Sequence, residues 1–180
     1  MEHNLDLTMA LLARTPGALN ALLRDLPAAW THRHEGEKTW SVFDVIVHLV
    51  HADRAVWMPR VKSVLQFGET RAFAPLEREG GAEENQGKPL ARMLDEFAAV
   101  RAEKLAELKA LNLQPGDLER RGRHPSFDVV TVEQLLATWA AHDMTHLHQI
   151  ARVMAHQYRE AVGPWSAYLG VMQCAGHSSS

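Results

Sequence analysis

The chain has 180 residues, 46% hydrophobic and 23% charged, with a formal net charge of −3. That length and balance fit one globular domain with a full core and exclude general disorder. No positive excess exists to favour nucleic acid or an anionic membrane surface, and the short basic cluster Arg120, Arg121, Arg123 reads as a solvated loop. The single cysteine, Cys174, excludes an internal disulfide framework and a multi-cysteine zinc site, and suits a reducing compartment. The start, Met1-Glu2-His3-Asn4, has no signal-peptide pattern. No run approaches the roughly 18 apolar residues of a membrane span. The expected location is therefore the cytoplasm, with no membrane and no nucleic-acid partner.

Taken in chain order, Leu5, Met9, Leu12, Leu19, Leu23 and Leu26 recur at steps of three and four, the mark of a helix with one buried stripe. Thr15-Pro16 interrupts it, either as cap and first turn of a second piece or as a kink. Pro27 ends the segment, and residues 28–40 read as a loop. Ser41 is an N-cap with Asp44 three residues on, a variant of the capping box. The next helix is expected over Val42–Gln66. One stripe carries Phe43, Ile46, Val47, Val50, Trp57, Val61 and Leu65, a second Val45, Ala52 and Ala55. A helix apolar on two faces belongs at the centre of a bundle.

Gly68 stops that helix, and residues 68–88, with Gly80-Gly81 and Gly87, read as a long loop. From Pro89 a third helix carries Leu90, Leu94, Phe97, Arg101, Leu105 and Leu108 on one face. Pro115-Gly116 marks its end region, and residues 114–130 form a second long connection. Thr131 caps a fourth helix, with Gln134 completing a capping box. Its stripe is Leu135, Trp139, His142, His146, Gln149 and Val153, and Gly163-Pro164 breaks it. Trp165–Met172 is a candidate short closing helix. No strand with period-two alternation emerges. The expected class is all-α: a four-helix bundle with a short C-terminal helix, one domain over residues 1–175 and a disordered tail, 176–180. Loops of about 20 residues allow an up-down-down-up connection.

Histidine occurs 11 times, so spacing must decide its meaning. His142 and His146 lie one helical turn apart, about 40° around the axis, on a stripe with Leu135, Trp139 and Val153. Two imidazoles so placed can share one metal ion, which needs at least a third ligand for tight binding. A pair at this spacing is by itself a weak signal. Its place on an apolar stripe strengthens it, because buried imidazoles need partners. His148 points away, and His156 is too far along. The third ligand is expected on the second helix at His48 or His51, between which periodicity does not choose; the other would sit at the rim. Asp44 and Asp143 are acidic groups nearby; Asp44 doubles as a cap, and Asp143 points away from His142.

Trp40-Ser41 followed by Val45-Ile46-Val47-His48-Leu49, and the segment from Leu136 through Trp139, His142 and His146 to Ile150, resemble the second-helix and last-helix signatures of the DinB-like superfamily. The tail, Gly163-Pro164-Trp165 with Tyr168-Leu169, is similar to a subgroup of it. The resemblance implies an up-down-down-up four-helix bundle holding a divalent metal, zinc or nickel. The ligand positions match His48, His142 and His146; His51 matches none. It also implies homodimers, and relatives that act with low-molecular-weight thiols.

The functional expectation is a metal-dependent hydrolase or thiol S-transferase, in which the ion activates water or a thiol for attack on a small-molecule substrate. The alternative is a non-enzymatic, metal-stabilised dimeric binding module. An apolar-ligand carrier lined by Trp30, Trp40, Trp57, Trp139 and Trp165 ranks lower, since tryptophans at helical spacing are usually core.

Overall fold

The computed structural model describes residues 3–75 and 81–174; Gly80 and the expected tail, 176–180, lie outside them. The first apolar segment forms two helices, α1 (Leu5–Leu12) and α2 (Thr15–Leu23). Ala13 and Arg14 between them stay in the right-handed helical region, so the break at Thr15-Pro16 is a kink with Thr15 inside the second piece. A single turn, α3 (Ala28–Thr31), leads to α4 (Val42–Ala52), which opens with the Ser41–Asp44 capping box.

The second long helix is continuous to Phe67 but not uniform. A π-helical turn spans Asp53–Trp57 before α5 (Met58–Phe67). Pro59 explains it: proline has no N–H to donate to the carbonyl of Ala55, and its ring crowds that carbonyl. The widened turn directs Asp53, Val56 and Trp57 inward and leaves Ala55 exposed, which corrects the expected second stripe.

After a 3-10 turn at Gly68–Thr70 and one helical turn, α6 (Ala82–Asn85), the third long helix α7 (Leu90–Ala110) begins after Pro89 as its periodicity predicts. Pro115 starts a further turn, α8 (Pro115–Leu118), and does not merely end the preceding helix. The connection that follows contains an antiparallel hairpin, β1 (Arg121–His124) with β2 (Asp128–Thr131), paired from Arg121–Thr131 to His124–Asp128. Four-residue strands without apolar alternation leave no periodic signal, which is why the all-helical expectation omitted them. Gly122 is required there: a Cβ would lie 2.5 Å from Val64 Cγ2 and 3.1 Å from Phe73 Cζ.

The last long helix, α9 (Val132–His156), starts at the Thr131–Gln134 capping box. It ends seven residues before Gly163-Pro164, earlier than expected. The closing segment is a 3-10 stretch, Gly163–Tyr168, followed by α10 (Gly170–Gln173). No helix among the described residues is long and apolar enough to cross a membrane.

Cross-helix pairs set the directions. Arg54 pairs with Glu96 and Lys62 with Glu107, so α4–α5 and α7 run parallel. Leu12 meets Arg101 while Arg24 meets Asp95, so the first helix pair runs against α7. His48 meets His142 and Trp57 stacks on Trp139, so α9 runs against α4–α5. The order is up-down-down-up. The parallel pair requires the long crossover between Phe67 and Leu90, because a short loop joins only antiparallel neighbours.

The core has two apolar clusters. One gathers Leu12, Trp57, Met58, Val61, Leu108, Leu136 and Trp139; the other Leu19, Leu23, Ile46, Leu49, Met93, Phe97, Ile150 and Val153. Between these two sets of helical turns lies a buried polar layer formed by His48, Asp53, Arg101, Asp143 and His146.

Candidate metal centre

Two of those polar groups, His48 and His146, come together with His142. His48 projects from α4, and His142 and His146 from successive turns of α9. The Nε2 atom of His142 is 3.1 Å from that of His48 and 3.1 Å from that of His146. Potential ligand atoms of all three residues lie within 4.8 Å of one another. Two nitrogens on a tetrahedral zinc, each at the usual ~2.0–2.1 Å, stand about 3.3 Å apart, and cis positions of an octahedral ion about 2.9 Å. The spacing fits one shared cation.

Hydrogen bonding alone satisfies this cluster poorly. One N–H on His142 Nε2 can serve only one of its two Nε2 neighbours. A cation between the rings meets all three lone pairs at once.

The protonation states suit that role. His146 Nδ1 donates to Gln149 Oε1 at 2.7 Å, which leaves its Nε2 as a bare acceptor. Burial lowers the pKa of His146, partly opposed by the Gln149 bond and the Asp143 charge. Burial, then the neighbouring His146, His48 and Arg101, push the pKa of His142 down to about 2. Both rings are therefore neutral at physiological pH, as metal ligands must be. His142 Nδ1 is buried and has no hydrogen-bond partner among the described residues.

Aromatic rings wall the cluster. Trp40 lies 4.7 Å from His48 and stacks 6.1 Å from His146, and Trp57 meets His142 edge-on at 5.1 Å. Such rings exclude water and fix the imidazole planes.

Arg101 supports this layer from α7. Its Nε and Nη2 donate to Asp53 at 2.7 and 3.1 Å, its Nη1 and Nη2 to Asp143 at 2.6 and 2.9 Å, and its Nη1 also to the Leu12 carbonyl at 2.9 Å. All five guanidinium N–H groups are thus used, and one side chain ties the four long helical segments together. Trp139 Nε1 adds a bond to Asp53 at 2.9 Å. Burial raises the pKa of Asp53 despite the opposing Arg101 contacts. Burial would lower that of Arg101, but the bonds to Asp143 and Asp53 outweigh it and raise it. Two carboxylates and one guanidinium leave a formal charge of about −1, and within this set the Asp143 charge favours positive charge at His146 while that of Arg101 opposes it at His142.

The remaining sequence candidates lie elsewhere. Asp44 closes the helix cap, accepting from the Ser41 N–H at 2.8 Å, and is not in the converging set. His51 is half-buried and lines a separate groove. Asp143 does point away from His142, as expected, but into the core as an Arg101 partner. Arg101 on an otherwise apolar stripe was the signal for this network; Asp53 had none, because the π turn aims it.

A four-helix bundle with a buried three-histidine cluster at its centre defines the class to which the chain belongs. The sequence profile of the DinB superfamily matches residues 11–150, and the chain is a member of that superfamily. Among solved structures it is similar to YfiT from Bacillus subtilis, described as a probable metal-dependent hydrolase with an unusual four-helix bundle topology. The TM-score is 0.71 and the identity 20%, over 87% of each chain. At that identity the likeness concerns the fold. No curated protein matches the chain.

Proposed function

We propose that the protein is a metal-dependent enzyme of the hydrolase or thiol-transferase type, with His48, His142 and His146 as ligands of one divalent cation. The observation that carries the reading is the convergence of three imidazoles, from two helices, on one point inside the bundle. Three neutral ligands leave one or more coordination positions for a reactant, as catalytic sites do and closed structural sites do not. When bound, the cation supplies a Lewis acid that lowers the pKa of water or of a thiol at neutral pH. The chain's own residues do the rest. Gln149 holds the His146 tautomer, Trp40 and Trp57 shield the rings, and the Asp53–Arg101–Asp143 set keeps α7 and α9 in register with α4. The description of YfiT as a probable metal-dependent hydrolase supports the hydrolase form of this reading. Zinc and nickel are the candidate ions, a low-molecular-weight thiol is a candidate cosubstrate, and a homodimer is the expected assembly.

The test begins with metal content. The purified protein should carry close to one equivalent of a divalent metal, and the His142→Ala, His146→Ala double variant should carry none. Retention of stoichiometric metal by that variant overturns the ligand assignment. Turnover is then measured on ester, amide and electrophile panels, with and without bacillithiol, mycothiol or glutathione. Metal binding without metal-dependent turnover on any panel would favour the binding module instead, in which chelation lowers the melting temperature alone.

A further inference from the structure

A groove separate from the histidine cluster lies beside α5. It runs between α5 and residues 71–75 with a volume of about 580 Å³, typical of small-molecule sites, and none of the three clustered histidines lines it. His51, Arg60, Lys62 and Arg71 line it, and among the described residues no aspartate or glutamate does, in a chain with net charge −3.

Lys62 is committed to Glu107. The two arginines are not so committed: among the described residues no carboxylate pairs with Arg60 or Arg71. Arg60 is half-buried, and its polar contacts, to His124 Nε2 and the Ala74 carbonyl, are both 3.5 Å, at the outer limit of a hydrogen bond. Burial lowers its pKa, and among the described residues no carboxylate offsets that desolvation.

Aromatic rings orient both guanidinium groups. Arg60 sits over Phe73 at 5.3 Å and Arg71 over Phe67 at 5.0 Å. Phe73 is buried, and its backbone N–H donates to the Arg123 carbonyl at 2.9 Å, so that side of the groove is anchored to the hairpin.

We propose that this groove binds a small organic carboxylate with a planar apolar body. The guanidinium forks of Arg60 and Arg71 receive the carboxylate, and Phe67, Val56 and Pro59 receive the apolar part.

The probe is benzoate, titrated by calorimetry at low salt into the full-length protein, both metal-loaded and metal-free. Benzamide and acetate are the controls, one lacking the charge and the other the ring. Benzoate should bind at one site per chain in both forms, with benzamide and acetate at least ten-fold weaker. Arg60→Ala should weaken benzoate at least ten-fold and Arg71→Ala several-fold, with unchanged melting temperatures. Arg60→Lys, which keeps the charge and loses the fork, should also weaken it and serves if the alanine variant is unstable. Benzoate binding unaffected by the Arg60 and Arg71 variants, or abolished by His142→Ala in their place, overturns the proposal. So does binding that appears only after Glu77 and Glu79 are changed to glutamine, since the chain's own carboxylates would then be the ligand.

Discussion

Replacing Arg101 with alanine tests the account of the polar layer most severely. Arg101 and its two carboxylate partners are each about 1% exposed, and its five N–H groups serve five acceptor contacts. Removing it leaves Asp143 and the Leu12 carbonyl without that donor and Asp53 with its Trp139 bond in place of three. Breaking a buried ion pair from one side costs roughly 3–5 kcal/mol. For a domain of this length that corresponds to a melting-temperature drop of roughly 6–20 °C. Arg101→Lys should be intermediate, since an ammonium has three donors and no planar fork. The triple replacement Arg101→Met, Asp53→Asn, Asp143→Asn removes the charges together and should recover much of the loss. The assay is urea unfolding followed by far-ultraviolet circular dichroism, with thermal melts alongside. A loss below about 1 kcal/mol for Arg101→Ala would refute the claim that this side chain holds the helices together.

Three further outcomes follow from the same geometry. Gln149→Leu removes the acceptor that fixes the His146 tautomer, and metal affinity by competition with a chelator should fall roughly 10–100-fold. In the metal-free protein the pKa of His142 falls from its unfolded value of 6.5 to about 2. The unfolded chain therefore binds the extra proton between those values, so stability present above pH 6.5 is lost as pH falls, by up to about 1.4 kcal/mol per unit. Melts of the apo protein from pH 7 to pH 5 should show this slope, and His142→Gln should reduce it, with the lowered pKa of His146 keeping part of it; equal slopes would contradict the buried neutral ring. Gly122→Ala places a methyl 2.5 Å from Val64 Cγ2. It should cost roughly 1–3 kcal/mol by overpacking, read as a lower urea midpoint.

The local signals of this chain were readable because they depend on near neighbours. Helical spacing marked the four long segments. The pairs Ser41–Asp44 and Thr131–Gln134 placed two helix starts where the capping boxes are found. The four-residue step from His142 to His146 fixed their common face. Residues 48 and 51 could not be separated that way, since both lie within one turn of the same helix. Only packing against α9 puts the His48 ring at His142 and leaves His51 in the groove beside α5. Tertiary structure also decided the π turn forced by Pro59, which aims Asp53 at Arg101, and the hairpin, whose short strands are held by contacts with residues 72 and 73. Periodicity reports which side of an element is apolar. Which polar groups meet across elements depends on helix direction, rotation and register, and these are set only when the whole bundle closes.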